Sequence, residues 1–297
     1  MARHPSFVPL VATVVGIGLF SLMDAFMKSA SIAVGAYSAL LLRNAIGLAL
    51  VGPVWAAGGG RWPDRTVLRI HLIRGVVVAF MALTFFFALV RLPLAEGIAI
   101  SFIAPLLALY LATILLGEKL RPSAIAAALL GLAGTLVIVG GRIGRERMTE
   151  DAQIGLAAIV VSAFLYAWNL VLQRQQALVA RPLEVATFQN AIVALLLVMG
   201  APFLLVLPDA SALRDIAAGS VLSVSALIVL SWAYARAEAQ VLVPVEYTGF
   251  LWAALFGWLF FGERVTATTV GGAALIVAGC WIAARGQPPD APEQAAF

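Results

Sequence analysis

"LLGEKLRP" (residues 115–122) and "FFGERVTA" (residues 260–267) decide how this chain is read. Each closes a long apolar run with Gly-Glu-basic, and another apolar run follows each. They lie 145 residues apart. A shift of that size aligns more than the two phrases. Arg91 falls on Arg236, Gly117 on Gly262, Glu118 on Glu263, Lys119 on Arg264 and Gly134 on Gly279. With one inserted residue, "RNAI" (43–46) falls on "QNAI" (189–192). The chain is therefore a doubled unit. Within each joint, Gly117 and Gly262 suit the left-handed position that ends a helix. Glu118 and Glu263 then stand before the next helix, whose N-terminus attracts negative charge. Pro122 suits a first helical turn. The joint is read as structural.

Composition says what the unit is made of. Of 297 residues, 63% are hydrophobic and 11% charged, with a mean hydropathy of +1.02. Soluble domains carry about 45–50% apolar and about 25% charged residues. A water-soluble fold this apolar would lack a polar coat, so the bilayer is the natural solvent. The chain divides into ten apolar runs: 7–28, 36–56, 68–90, 94–116, 122–140, 154–175, 183–206, 214–235, 239–260 and 267–285. About 20 helical residues cross the hydrocarbon core. No run alternates with the period of two that barrel strands need. The expected class is all-α integral membrane, with ten transmembrane helices. Five helices per unit is an odd number, so the second unit enters the membrane from the opposite side. The units are assigned as 1–145 and 146–286, and they form two inverted five-helix repeats. The Pro-rich remainder, 287–297, is expected to be a disordered cytoplasmic tail. Inverted repeats recur in secondary transporters, where one half closes the outer gate as its twin closes the inner one.

The formal charge of +4 does not point to nucleic acid, because the basic residues stand at helix ends. With the N-terminus inside, eleven basic residues, Arg74 and Arg174 among them, fall on the inner side and seven on the outer. The positive-inside rule then places both termini in the cytoplasm. The joint 141–149 holds three of the outer seven and is the weakest point of that assignment. Arginine outnumbers lysine 17 to 2, which hints at a GC-rich bacterial source and so at a bacterial inner membrane. The first run is longer than a signal h-region and lacks an A-x-A site, so it is read as a retained span. The single cysteine, Cys280, is read as a small buried hydrophobe.

The residues now resemble a known group. Ten runs in two halves, with LGE-basic after the fourth and FGE-basic after the ninth, are similar to the EamA-domain branch of the drug/metabolite transporter superfamily. "ALVRLPLAEGIAISFIAPLLALYLATILLGEKL" (88–120) and "PVEYTGFLWAALFGWLFFGERV" (244–265) carry the resemblance. It implies a basket of helices around a central cavity, with the fifth and tenth helices packed at its rear. It also implies transport of amino acids or other small metabolites, with the aromatic amino-acid exporter group as the leading analogy. Nucleotide-like, cofactor-like and quaternary-amine substrates stay open, as does flipping of a lipid-linked sugar.

Charges at mid-bilayer are costly and normally face a cavity or a partner. Asp24 precedes Lys28 by four residues, the favourable order for a helical pair; it can also face the cavity. Arg43, followed by Asn44, lies about two turns into the second helix. Its guanidinium can fork onto a carboxylate or pair with Asp24. Glu96, after Pro93, reads as a first-turn acid. Glu246, beside Tyr247, lies too deep in the ninth helix for capping; it can bind an ammonium or a proton, or serve as a buried hydrogen-bonding group. Tyr166, Asn169 and Gln173 share one face of the sixth helix, and Ser101, Gln189 and Asn190 are further polar residues at depth. These can line the cavity or bond between helices. The substrate-binding candidates are Asp24, Arg43, Asn44, Ser101, Tyr166, Asn169, Asn190, Glu246 and Tyr247. Pro105 and Pro244 fall in twin helices and are read as hinges or static bends.

Trp55, Trp62 and Trp281 stand near helix ends; Trp168, Trp232, Trp252 and Trp258 read as more interior. There is no phosphate loop and no metalloprotease or nucleophile-elbow motif. His4 and His71 read as interfacial. No catalytic residue, metal or cofactor is expected. The expected partners are an amino-acid-like substrate, the lipid bilayer and protons as coupling ion, with no nucleic acid and nothing that demands more than a monomer. A passive channel and an intramembrane enzyme are the weaker alternatives.

Overall fold

The computed structural model describes residues 7–92, 101, 103–117, 122–140, 150–261 and 267–285. Glu96, Glu118, Glu263, Gly262, the 141–149 joint and the tail lie outside the described residues. Every regular element described is helical. The first helical stretch, Phe7–Ala57, is broken once, at Gly35, whose φ of 81° and ψ of 151° suit only glycine. Its two arms, 7–34 (α1) and 36–57 (α2), answer to the first two apolar runs. The other long helices are α3 (Arg65–Leu89), α4 (Ile103–Leu116), α5 (Pro122–Gly140), α6 (Glu150–Val179), α7 (Pro182–Val198), α8 (Ala210–Arg236), α9 (Thr248–Phe261) and α10 (Ala267–Arg285), with single turns at Ala201–Leu204 and Ala239–Leu242. Five of the described helical stretches are long and apolar enough to cross a membrane, the broken Phe7–Ala57 among them.

The starts and stops are built from the expected chemistry. Asp64 caps α3 by accepting from the Thr66 and Val67 N–H groups, at 2.8 and 2.9 Å. Asp209 caps α8 through the Ala212 N–H at 2.8 Å, and that bond holds the Asp209 carboxyl below its usual range. The cap therefore contributes stability above the ordinary carboxylate pKa and loses it as pH falls through its own lowered value. α4 ends at Leu116, and Gly117 follows with a φ of 68°, the left-handed stop its sequence announces. Gly117→Ala is expected to cost about 1–2 kcal/mol from the Cβ strain of that conformation, although nothing lies within 4 Å of the added carbon. Thermal unfolding in detergent checks this; an unchanged midpoint would show that the turn can relax.

The run 239–260 is not one helix. A single turn, Ala239–Leu242, passes into a 3₁₀ stretch at Val243–Tyr247, and only then into α9. Pro244 opens the 3₁₀ stretch, because a residue without an N–H cannot continue the α-helical ladder. Pro105 differs: it is the third residue of α4 as described.

α3 packs along α6, the Phe7–Ala57 stretch along α8 and α7, and α5 along α10; Gly16 of α1 lies against Leu230 of α8, and Gly47 of α2 against Asn190 of α7. On α3 and α6 the order of contacts reverses. Ser162 bonds the Met81 carbonyl at 2.9 Å, whereas the earlier Arg74 meets the later Asn169 and Gln173. The pair is antiparallel. α5 and α10 are antiparallel too, and their backbones nearly touch. A Cβ on Gly134 would lie 2.5 Å from the Gly272 carbonyl oxygen, and a Cβ on Gly279 would lie 2.8 Å from that of Ala127. The 145-residue shift converts one contact into the other. The repeat seen in the sequence is thus also a repeat of contacts at this crossing.

The polarity of the molecule is inside out. Large apolar side chains such as Phe80, Phe164, Leu195 and Met199 are exposed. Trp168 and Trp258, read as interior, are exposed as well, at 42% and 54%. Meanwhile Arg43, Arg74, His71, Asn169, Gln173 and Glu246 are buried. Hydrocarbon outside and polar groups inside is the arrangement a bilayer stabilises. The chain is a multi-pass membrane protein.

Candidate functional site

The buried polar groups surround a cavity of about 180 Å³ between the helices. α1, α2, α3, α6, α7, α8, the 3₁₀ stretch and the start of α9 all contribute to its wall, with Ser101. Six of the expected site residues line it: Asp24, Arg43, Ser101, Tyr166, Asn169 and Glu246. Gln173 and Gln189 line it too. Apolar side chains such as Phe20, Met81 and Leu227 complete the wall, so the site suits a ligand with both charged and apolar parts.

Three expected residues are placed elsewhere. Asn44 and Asn190, twins in the RNAI/QNAI phrase, each donate to the carbonyl four residues earlier, Leu40 at 2.7 Å and Ala186 at 2.8 Å. Neither is part of the described cavity wall. The side chains lie back on their own helices where α2 crosses α7, because Gly47 lets Asn190 close in. Tyr247 is fully buried against Gly131 of α5 and serves the packing between the cavity wall and the α5–α10 pair.

Glu246 sits in the 3₁₀ stretch and is 6% exposed. Both of its carboxyl oxygens accept from phenols: Tyr166 Oη donates to Oε2 at 2.6 Å and Tyr234 Oη to Oε1 at 3.1 Å. The acid is at once hydrogen-bonded and on the cavity wall. Tyr234, wholly buried on α8, carries no sequence signal for this role.

Arg43 is 5% exposed. The expected contact pair with Asp24 does not form. Among the described residues the only ion pairs within 4 Å are His71–Glu184 and Arg91–Asp151. Arg43 Nη1 instead donates to the Met23 sulfur at 3.3 Å, the guanidinium lies 5.9 Å from the Phe86 ring centroid, and Nε is buried without a partner. The helical register explains this, since Arg43 meets α1 at Met23, one residue before the acid. Lys28 does not fold back either; its Nζ reaches the Leu92 carbonyl at 3.4 Å.

The residue that sequence reasoning missed is Arg74. Counted there among basic helix ends, it is 2% exposed and lines the cavity. Its Nε donates to Asn169 Oδ1 at 3.0 Å, Nη2 to Gln173 Oε1 at 2.9 Å and Nη1 to Gln176 Oε1. Residues 169, 173 and 176 share one face of α6. That stripe of amides was the available signal: several acceptors on one buried face need a donor opposite.

His71 is a second correction. Read as interfacial, it has no exposed surface. Nε2 meets Glu184 Oε1 at 3.1 Å, the ring stacks on Phe188 at 4.8 Å, and Nδ1 meets the Gln176 amide nitrogen. The first two turns of α7 bring Glu184 and Phe188 over α3, and so take the ring out of the interface. A hydrogen-bonded chain thus runs from Glu184 through His71 and Gln176 to Arg74 at the cavity.

Comparison with known proteins agrees with this architecture. The sequence model of the EamA-like transporter family matches residues 9–140 and again 153–285. The chain belongs to the EamA-like transporter family. The Pseudopaline exporter CntI of Pseudomonas aeruginosa, from strains UCBPP-PA14 and PAO1, is 27% identical over 266 residues, 88% of this chain and 90% of the relative. A solved crystal structure superposes with a TM-score of 0.76 at 26% identity, over 93% of this chain and 96% of the other. This EamA-family chain is thus similar along nearly its whole length to an exporter.

Proposed function

We propose that this EamA-family protein is a secondary transporter that exports a small, charged metabolite across a bacterial inner membrane by alternating access. The observation that carries the reading is the cavity. Buried groups of both signs, Arg43 and Arg74 with Asp24 and Glu246, line a space inside a bundle whose outer surface is apolar. Buried charges are costly to keep, and a zwitterionic substrate gives them partners. Amino acids are the first substrate class. A pseudopaline-like substrate is the second reading, favoured by the exporter that is 27% identical over 266 residues.

In this reading residues 1–145 and 146–286 are inverted repeats, the ten helices cross the membrane, and both termini lie in the cytoplasm. The antiparallel, mutually exchanged contacts of α5 and α10 support that symmetry. The 3₁₀ stretch at Pro244 is the hinge that moves Glu246 between the two access states, and Pro105, at a non-equivalent position in the first turn of α4, is a second hinge. Glu246 receives the substrate ammonium and exchanges it for a proton.

Counterflow in proteoliposomes tests the reading. Vesicles loaded with unlabelled amino acids are given trace labelled threonine, methionine or phenylalanine, with and without a pH gradient. Saturable exchange accelerated by the gradient is expected. Folded protein that exchanges none of these amino acids would sink the amino-acid class and bring pseudopaline forward. Unsaturable single-channel currents would sink the carrier mechanism.

A further inference from the structure

Arg74 is a buried cation that no carboxylate of the described residues contacts. Among the described residues no carboxylate lies within 4 Å of its guanidinium. Its three hydrogen bonds all go to neutral amide oxygens, those of Asn169, Gln173 and Gln176. Amide dipoles solvate a charge without neutralising it. The cavity's other cation is placed differently, for Arg43 donates to the Met23 sulfur and faces the Phe86 ring instead of a set of amide oxygens. Glu246 is already engaged with two phenols. No acid of the cavity wall is held on Arg74.

The group nonetheless has capacity left. A guanidinium carries five N–H donors, and three are used, so one N–H remains on each Nη. Gln173 adds to them. Its Oε1 is committed to Arg74, which leaves Nε2 as the free end of the amide; that nitrogen is buried and has no partner. Gln176 is pinned in turn, because His71 Nδ1 meets its nitrogen and turns its oxygen toward Arg74. The surrounding amides therefore cannot flip without losing bonds. Arg74 and Gln173 both line the cavity. Together they present one positive charge and only donors, to a space that holds an unengaged acceptor-only group best. A carboxylate is such a group.

We propose that Arg74 and Gln173 form the carboxylate subsite of the cavity, so that the exported metabolite seats an acid group there. The subsite deepens the exporter reading and rests on it only for the word exported. It also reassigns the clamp: the arginine most conspicuous in the sequence, Arg43, is not the one that takes the acid. The substrate then spans from Arg74 toward Glu246, with its apolar part against Met81 and Phe85.

Binding tests the subsite separately from transport. The full-length protein in lipid nanodiscs is titrated by calorimetry with sodium benzoate, sodium glutarate, L-phenylalanine and L-phenylalaninamide, and with chloride and phosphate at matched ionic strength. The expected result is saturable binding of at least one carboxylate probe, with the phenylalanine amide at least tenfold weaker than the acid. Arg74→Gln is expected to weaken carboxylate binding at least tenfold and Gln173→Leu about threefold to tenfold, with Arg74→Lys between wild type and Arg74→Gln. Arg69→Gln, an exposed arginine on the same helix, leaves the affinity unchanged. If Arg74→Gln does not fold, Arg74→Lys and Gln173→Leu decide. The proposal is overturned if no carboxylate binds the wild type saturably, or if chloride or phosphate binds as tightly. It is equally overturned if Arg43→Gln abolishes binding while Arg74→Lys and Gln173→Leu keep it. Carboxylate binding without counterflow would sink the transporter reading and leave the subsite. Counterflow insensitive to Arg74→Lys and Gln173→Leu would sink the subsite and leave the transporter.

Discussion

Glu246→Gln is expected to lower the initial rate of counterflow by about 10- to 100-fold while moving the melting midpoint by only a few degrees. The two effects separate because the substitution keeps shape and most hydrogen bonds but removes the charge. Glu246 accepts from Tyr166 at 2.6 Å and from Tyr234 at 3.1 Å. The introduced amide oxygen still accepts from one phenol. Its nitrogen can donate to the other, because a phenol oxygen also accepts. Both bonds lose their charge assistance and become neutral, a loss of about 1–2 kcal/mol. In a domain of roughly 150–250 residues, 1 kcal/mol shifts the midpoint by about 2–4 °C. Transport loses more. A substrate ammonium, or a coupled proton, meets a dipole in place of a carboxylate, and hydrogen bonds to charged groups are worth about 1.5–3 kcal/mol. At 1.4 kcal/mol per factor of ten, that is the expected loss of rate. Rate and midpoint are measured on the same preparation. A fall in folded protein that matches the fall in rate would make Glu246 a structural residue and remove it from the site.

Gly134→Val and Gly279→Val are each expected to lower the melting midpoint by about 2–10 °C, and by similar amounts. The added Cβ would sit 2.5 Å from the Gly272 carbonyl oxygen in one case and 2.8 Å from that of Ala127 in the other. Real Cβ atoms do not come so close, and a backbone oxygen cannot turn aside as a side chain can. The α5–α10 crossing must open, and overpacking of this kind typically costs about 1–3 kcal/mol. Opening it also frees Tyr247, which fills the space over Gly131, so the damage reaches the 3₁₀ stretch that carries Glu246. Gly271→Ala is the control, since nothing lies within 4 Å of its added carbon; it should leave the midpoint almost unchanged. If one valine is harmless while its twin unfolds the protein, the exchanged contacts do not carry equal load. The symmetry of this crossing would then be one of geometry without energy.

Much of the site was legible at the level of residue type. An apolar chain cannot carry Asp24, Arg43, Tyr166, Asn169 and Glu246 at depth unless they meet one another or a cavity, and all five line the cavity. What failed was the assignment of partners. Asp24 and Arg43 read as a pair because their charges are opposite and their depths match; the crossing of α1 and α2 offers Arg43 the Met23 sulfur instead. Arg74 and His71 were misplaced for a related reason. Their distance from the helix start suggested an interface, but burial depends on what packs over a helix, and α6 and the first turn of α7 cover them. Asn44 and Asn190 illustrate the converse, for a polar side chain at depth can be satisfied by its own helix.

The sequence by itself determined the solvent, the class and the doubling. Hydropathy is a sum over residues, and a helix satisfies its backbone locally, so runs of about 20 apolar residues name their own structure. The Gly117 stop and the Gly134–Gly279 correspondence belong to the same local level, since positive φ and the lack of a Cβ are properties of the residue. Only the tertiary structure decided which polar groups share a cavity, that Pro244 sets Glu246 in a 3₁₀ stretch between two phenols, and that Arg74 is held by three amide oxygens while Arg43 meets the Met23 sulfur. Those facts depend on side chains far apart in the sequence, Tyr166 and Glu246 by 80 residues and Arg74 and Gln176 by 102. The rotation of one helix against another is set by packing over its whole length, and no short stretch of sequence records it.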